Sequence, residues 1–239
     1  MAVDAAITRS GLSDQVKGRL LQAILDGRYA PGARIVETRV AKEFGTSQAP
    51  VREALRDLEA LGVVEVTAFR GARVRHPSVE ELLEAFEVRA VLETQAAWLA
   101  LKSINEDDLR QLDDLVEQMR LAAEAGDPYA EATADAAFHS AVVRRSGNAT
   151  LERVWRTLEP FLRTYITIAS AGVDRRAIAE RHAPLVAALR AGDPVGIQQA
   201  VAFHFEQAAQ SLASVWSDEA GAGAEAPRTI RLAPIGVAR

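Results

Sequence analysis

The pattern of apolar residues changes once along this chain, at residues 76–78 (His-Pro-Ser), and this change most constrains the fold. Before it, three short segments with apolar residues at helical spacing precede two segments rich in β-branched residues. After it, apolar residues recur at helical spacing only. The chain is therefore predicted to be mainly α, with one domain at residues 1–77 and another at residues 78–216.

The first domain is predicted to contain three helices and a β-hairpin. The first helix is expected over residues 13–26, the second ends at Gly45, and the third begins directly after Ser47. The hairpin is formed by the β-rich segments 63–67 and 72–75. Two short helices that meet at a tight turn, followed by a small hairpin, are typical of a winged helix-turn-helix whose wing is the hairpin.

The second domain is predicted to be an all-α bundle of six or seven helices. The helical patterns lie at about residues 79–102, 106–125, 128–146, 148–171, 174–191 and 194–216. No strand pattern interrupts them. Residues 217–239 differ, because eleven of these 23 residues are Ala, Gly or Pro, and they are predicted to form a mostly disordered tail.

The net charge of −5 is unevenly distributed along the chain. Residues 1–77 hold 12 Lys and Arg against 9 Asp and Glu, whereas the remainder holds 16 against 24. A basic first domain on an acidic chain indicates that only this domain contacts a polyanion. The chain has no cysteine and no apolar run near the roughly 20 residues that span a bilayer, so a cytoplasmic protein without a membrane partner is expected.

Two segments of the first domain resemble a known family. They are residues 29–35 (YAPGARI) and residues 47–56 (SQAPVREALR), and residues 61–64 continue the match. These segments are similar to the N-terminal domain of the GntR superfamily of bacterial repressors, and the all-α remainder resembles the FCD-type C-terminal domain of the FadR subfamily. The resemblance implies a transcriptional regulator, not an enzyme, that binds a palindromic operator in double-stranded DNA as a homodimer and responds to an effector.

The expected DNA contacts lie at the start of the third helix and in the wing. A recognition helix reads base edges in the major groove with its first turns. In this chain those turns present Ser47, Gln48, Ala49 and Arg52. The resemblance adds Arg34, Arg70 and Gly71. The family often has arginine at the position of Gln48, so a guanine contact of its relatives is missing or replaced here. The alternative, that the arginines are only solvated surface charges, is disfavoured by the helix-turn-helix around them.

Three of the four histidines are predicted to face the bundle core. Asp135 and His139 share one helix face, and His182 and His204 continue the apolar stripes of two later helices. A lone buried histidine is more often a hydrogen-bonded core residue, but burying three with a carboxylate is costly unless they satisfy one another or share a cation. This donor set suits Zn²⁺, Ni²⁺, Mn²⁺ or Fe²⁺, with Zn²⁺ the first choice. It also resembles the metal-binding branch of the FadR-type domain.

Arg89 holds an inward position in an apolar stripe, where a guanidinium needs an anionic partner. One alternative is an ion pair with Glu93 or another bundle carboxylate. The other is that Arg89 binds the carboxylate of a small organic-acid effector that also occupies the metal site. The resemblance supports the second, because related proteins have an arginine at a comparable place on the first helix of this domain.

Two other functions fit parts of the sequence. The first is a metal-sensing regulator, in which the same histidines bind the cation and the cation itself is the signal. A metal-dependent hydrolase or lyase would use them to activate water. Against this second function, no further inward-facing residue near the histidines stands out as a general base, and the N-terminal motif would have no role.

Overall fold

The structure is a computed structural model that describes residues 10–67, 71–169 and 174–215. Its internal contacts divide the chain into two compact units after His76, one residue before the boundary expected from the sequence. Arg70, which the sequence assigned to the wing, and the tail expected at residues 217–239 lie outside the described residues. In the described part, no helix is both long enough and apolar enough to cross a membrane.

The N-terminal unit has the order of elements expected for a winged helix-turn-helix. Its elements are α1 (Ser10–Leu25), β1 (Arg34–Ile35), α2 (Glu37–Phe44), α3 (Gln48–Ala60), β2 (Val64–Thr67) and β3 (Gly71–Val74). Gly45 ends α2 with φ +65°, a conformation that glycine adopts without steric cost, and its N–H bonds back to the last turn of α2. The chain can therefore turn sharply enough to start α3 three residues later.

Among the described residues of this unit the sheet has three strands and not the two of the expected hairpin. The strand order is β1-β3-β2, and both pairs are antiparallel. β1 places Arg34 opposite Arg73 and Ile35 opposite Ala72. A strand of two residues is too short to show an alternating pattern, so the sequence indicated only the two longer strands.

The described residues of the second unit form seven helices, in agreement with the six or seven expected. They are α4 (Val79–Ala100), α5 (Glu106–Ala125), α6 (Pro128–Arg145), α7 (Ala149–Ala169), α8 (Arg175–Glu180), α9 (Ala183–Ala191) and α10 (Pro194–Val215). The single helix expected over residues 174–191 is wrong, because it is divided into α8 and α9. Pro184 is the physical reason: it lacks the N–H that would bond to the carbonyl of Glu180 in a continuous helix.

The core of the helical unit is built around α4, which packs against α6, α7 and α10. Phe86 of α4, Phe138 of α6 and Phe205 of α10 are fully buried there. α4 begins at a capping box, in which Ser78 and Glu81 exchange side-chain and backbone hydrogen bonds. Because His139 and His204 lie next to two of these phenylalanines in the sequence, the same packing brings the histidines together.

Candidate functional site

The first candidate surface is the exposed face of α3. The buried face of this helix packs against α1 through Val51 and its neighbours Ala54, Leu55 and Leu58. The opposite face, at the start of the helix, carries the four side chains expected to contact DNA. These are Ser47, Gln48, Ala49 and Arg52, and all four are exposed. We call them the recognition face.

Arg52 is held in place by two partners. Its Nε donates to Glu37 Oε2 at 2.6 Å, and its Nη2 donates to Gln48 Oε1 at 3.2 Å. Glu37 is the first residue of α2, so this ion pair links the two helices of the helix-turn-helix. Glu37 could not be expected from the sequence, because its distance of 15 residues from Arg52 along the chain gives no pairing signal. Glu37 orients a guanidinium that remains 58% exposed.

The wing brings Arg34 and Gly71 together. Gly71 has φ +86°, and a Cβ at this position would lie 3.9 Å from Arg34 Nε and 3.5 Å from the carbonyl oxygen of Ile35. The positive φ therefore favours glycine here, whereas a Cβ would meet β1 only at ordinary van der Waals distances. Arg73, which the sequence analysis did not select, lies opposite Arg34 in the sheet and is also exposed. Glu65 of β2 faces Arg73 from the other side of β3, so these three exposed side chains together carry one net positive charge.

The second candidate site is a cluster of three buried histidines in the helical unit. His139 lies on α6, His182 between α8 and α9, and His204 on α10, and one nitrogen from each meets within 4.8 Å. Asp135 completes the set expected from the sequence: its Oδ1 lies 3.2 Å from His182 Nε2 and 3.7 Å from His139 Nε2. We call these four residues the histidine cluster.

The hydrogen bonds of two histidines identify their donor nitrogens. His182 Nδ1 lies 3.1 Å from the carbonyl oxygen of Ile178 and 3.2 Å from that of Ala179, so it donates. His139 Nδ1 donates to Glu93 Oε2 at 2.5 Å. In their neutral forms both residues then present Nε2 as an acceptor, and these two nitrogens lie only 3.2 Å apart. Two facing lone pairs beside the Asp135 carboxylate require a proton or a cation between them.

The electrostatics of the cluster agree with this requirement. Burial is the largest single influence and favours neutral His139, but the carboxylates of Glu93 and Asp135 together outweigh it and raise the pKa of His139 to about 9. Burial and the two neighbouring histidines hold the pKa of His204 well below its usual value. His204 is therefore neutral, and its buried Nδ1 accepts and donates no hydrogen bond within the described part of the chain. The cluster therefore stabilises one positive charge next to the neutral side chain of His204.

A divalent metal ion fits this donor set. Two nitrogens bound tetrahedrally at 2.0–2.1 Å from Zn²⁺ lie about 3.3 Å from each other, close to the 3.2 Å between His139 Nε2 and His182 Nε2. Glu93 adds the support typical of such sites, because a carboxylate that accepts from Nδ1 fixes the tautomer and orients Nε2. The sequence analysis placed Glu93 only beside Arg89 and missed this contact with His139.

Arg89 forms the ion pair with Glu93 that the sequence left as one of two alternatives. Its Nε donates to Glu93 Oε1 at 2.5 Å, and both side chains are only 3% exposed. Trp155 Nε1 donates to the same oxygen at 2.7 Å. Burial opposes ionisation of Glu93, but His139 and Arg89 lower its pKa to about 2. Glu93 thus connects the guanidinium of Arg89 to the histidine cluster.

Comparison with known proteins identifies both units. The family model described as "Bacterial regulatory proteins, gntR family" matches residues 12–74, and the FCD domain model matches residues 84–207. The probable D-xylose utilization operon transcriptional repressor of Paenarthrobacter nicotinovorans is 37% identical over 85% of this chain and 89% of its own length. The HTH-type transcriptional regulator McbR of Escherichia coli is 30% identical over 82% of this chain and 90% of its own length.

The solved structure of Escherichia coli McbR/YncC has the same fold. It superimposes with a TM-score of 0.76 over 87% of this chain and 99% of its own, at 27% identity. The matched models and relatives are those of regulators, which confirms the expectation that the chain is not an enzyme. The chain therefore belongs to the GntR family of bacterial regulatory proteins, with an FCD domain after its DNA-binding helix-turn-helix, and is a transcriptional regulator.

Proposed function

We propose that this regulator is a cytoplasmic repressor that binds a palindromic operator as a homodimer and loses operator affinity when a small organic acid binds at a metal site in its helical unit. The observation that carries the effector site is the pair of acceptor nitrogens of His139 and His182, 3.2 Å apart and next to Asp135. A repressor is favoured because the relative from Paenarthrobacter nicotinovorans is described as one.

The recognition face and the wing support the DNA-binding part of the proposal. Gln48 and Arg52 are exposed at the start of α3, where bidentate contacts to adenine and guanine edges are made in a major groove. Ser47 and Ala49 flank them, and Arg34, Arg70 and Gly71 are assigned to the wing contacts. Because Glu37 and Gln48 already bond to Arg52, its guanidinium is oriented before DNA binds.

Exposed apolar residues support a homodimer. Val88 and Val91 on α4 are 50% and 47% exposed, and Val154 on α7, which packs against α4, is 43% exposed. Exposed valines on two helices that pack together suit a surface that another protein chain covers. A second copy is the partner that a palindromic operator requires, because the two half-sites mirror the two-fold symmetry of the protein.

For the metal, we assign Asp135, His139, His182 and His204 as ligands and Zn²⁺ as the first choice, with Ni²⁺, Mn²⁺ and Fe²⁺ as the other candidates. When bound, the cation would supply a Lewis acid for the oxygen atoms of an anion. Arg89 adds a second positive charge, and Glu93 holds it near His139 and Phe205. An effector that changes operator affinity must bind the two conformations of the regulator with different free energies, by about 1–3 kcal/mol.

Arg52→Ala is expected to weaken binding to the operator by about 1–3 kcal/mol, because it removes either a bidentate base contact or a phosphate contact. The fold should not change, because Arg52 is exposed and, among the residues that the structure describes, only the side chains of Glu37 and Gln48 bond to it. The measurement is a footprinting titration on the upstream promoter region at fixed salt. Arg153→Ala, which removes an exposed arginine of α7, is the matched control. Equal operator affinity of both variants would show that Arg52 does not contact the operator.

Arg89→Lys is expected to weaken binding of the organic acid at least about tenfold, because a lysine keeps the charge but loses the planar fork that fits a carboxylate. It also retains a cation beside Glu93, so the histidine cluster should still take up metal. Calorimetric titration of the metal-loaded protein with small hydroxy- and dicarboxylic acids measures the effect. Normal acid binding by the variant would show that Arg89 does not bind the acid and serves only in its ion pair with Glu93. If metal alone releases the operator, the protein is a metal sensor instead.

A further inference from the structure

Three side chains of the helix-turn-helix are joined by two hydrogen bonds. Arg52 Nε donates to Glu37 Oε2 at 2.6 Å, and Arg52 Nη2 donates to Gln48 Oε1 at 3.2 Å. Gln48 precedes Arg52 by four residues, so both side chains lie on the same face of α3. Glu37 lies in the first turn of α2, where the helix dipole favours a carboxylate. We call these three residues the recognition triad.

The triad determines which atoms Gln48 presents to a ligand. A guanidinium only donates hydrogen bonds, so the amide atom of Gln48 that faces Arg52 must be the oxygen. Turning the amide around would place its NH2 group against the guanidinium. Within the described part of the chain, the Gln48 side chain makes no other hydrogen bond, so both N–H groups of Nε2 are available. Gln48 therefore presents two donors, and its acceptor is bound to Arg52.

Glu37 keeps Arg52 in the orientation that binds the oxygen of Gln48. The bond between Glu37 and Arg52 joins opposite charges, and charge-assisted hydrogen bonds are about twice as strong as neutral ones. Rotating the guanidinium away from Gln48 would also turn the Nε–H group away from Glu37. The carboxylate is only 24% exposed, whereas Arg52 is 58% exposed. Glu37 is therefore a positioning residue, which acts on DNA only through the other two members of the triad.

We propose that Gln48 reads DNA as a hydrogen-bond donor only and therefore selects guanine, and not adenine, at one position of each half-site. Guanine presents two acceptors in the major groove, N7 and O6, and adenine has an amino donor in place of O6. The usual bidentate pair of glutamine with adenine needs the amide oxygen, which is bound to Arg52. The inference rests on the proposed function, because the recognition face is taken to lie in the major groove of the operator.

The test begins with duplexes that the full-length protein, without added acid, selects from a library of randomised double-stranded DNA. Gln48→Ala is taken through the same selection, and the position at which it loses the wild-type base preference is the one that Gln48 reads. Fluorescence anisotropy at fixed salt then measures the wild-type affinity for four duplexes, which differ only in the base at this position. The guanine duplex is expected to bind at least about fivefold more tightly than the adenine duplex.

Arg52→Ala tests whether the triad causes this preference. Without the guanidinium, the amide of Gln48 can turn and offer a donor and an acceptor together, which suits adenine. The ratio of guanine to adenine affinity should therefore fall to about one or reverse, although binding to all four duplexes becomes weaker. This ratio does not depend on the contact that Arg52 itself loses, because it is measured at the position that Gln48 reads.

Glu37→Ala tests the positioning role and should lower the same ratio at least about twofold. Glu37→Gln keeps an oxygen that accepts from Arg52 Nε, so its ratio should stay near the wild-type value. Glu43→Ala is the matched control, because Glu43 is an exposed glutamate of the same helix and pairs with Arg28. Both alanine variants remove one negative charge and should strengthen nonspecific DNA binding alike, but Glu43→Ala should leave the ratio unchanged.

Three outcomes would overturn the inference. The first is a wild-type preference for any base other than guanine at this position, or no preference there. The second is a guanine preference that persists in Arg52→Ala, which would show that Gln48 selects guanine without the triad. The third is an equal ratio in Glu37→Ala and Glu43→Ala, which would remove the positioning role of Glu37. In each case the protein still selects an operator; if the wild type selects no common sequence from the library, the proposed operator binding fails as well.

Discussion

Glu93→Ala is expected to lower the free energy of unfolding of the metal-free helical unit by about 3–5 kcal/mol, the usual effect of removing one partner of a buried ion pair. The carboxylate accepts from Arg89, His139 and Trp155, and it is almost completely buried. Its loss leaves two buried cationic side chains without the carboxylate that they share. Urea unfolding followed by tryptophan fluorescence measures this effect in the right unit, because all three tryptophans of the chain follow residue 77.

Glu87→Ala is the matched control, since Glu87 is an exposed residue of the same helix. Surface substitutions of this kind change stability by no more than about 0.5 kcal/mol. A Glu93→Ala variant as stable as Glu87→Ala would show that the buried network is not needed for folding.

The pH dependence of stability provides a second readout of the same network. Because the carboxylates of Glu93 and Asp135 raise the pKa of His139 from 6.5 to about 9, the stabilisation from these contacts is complete below pH 6.5 and is lost as the pH rises to 9. Glu131 also lowers stability as the pH rises, but only between its usual pKa of 4.5 and about 7. Between pH 7 and 9, metal-free wild-type protein should therefore lose stability through His139. In Glu93→Ala this loss should largely disappear, and an unchanged slope would contradict the assignment.

The acid side of the profile has the opposite sign. The pKa of Glu93 is lowered from 4.5 to about 2, so its stabilisation is present above pH 4.5 and is lost as the pH falls to 2. The wild-type protein should therefore be most stable at intermediate pH.

The sequence predicted those features that depend on local pattern. The helix-turn-helix follows from Gly45 and Ser47, which define a short turn between two amphipathic segments. The meeting of the three histidines was predictable because each continues an apolar stripe, and the apolar stripes of a bundle face the same core. Pro184 was an available signal for the break at His182 that the analysis did not use. Each of these features depends only on residues that lie close together in the sequence.

Features that depend on which elements pack together could not be predicted in the same way. Glu93 contacts His139 across 46 residues and Trp155 across 62 residues, distances at which a single sequence carries no pairing signal. Arg73 joins Arg34 only because the short strand β1 pairs with β3. Glu131 was not selected from the sequence: it lies one helical turn before Asp135, but only the structure shows that its oxygens accept no hydrogen bond among the described residues.

Metal removal is expected to have the other large effect. A ligand that binds only the folded state stabilises it by about 4 kcal/mol when its free concentration is a thousand times its Kd. Wild-type protein in excess Zn²⁺ should therefore unfold at a clearly higher temperature than the same protein in a chelator. His182→Ala should abolish this difference and the metal content measured by elemental analysis, because His182 Nε2 faces both His139 and Asp135.

His76→Ala is the matched control, because His76 is the one histidine outside the cluster. It should retain the metal and the chelator-dependent shift. A hydrogen-bonded core without metal makes a different prediction: His182→Ala would then destabilise the protein equally with and without chelator, and the wild-type protein would not respond to Zn²⁺, Ni²⁺ or Mn²⁺. Operator binding by His182→Ala without effector should remain near the wild-type value, since the recognition face lies in the other unit. A variant that lost metal and operator affinity together would show instead that the metal is required for DNA binding.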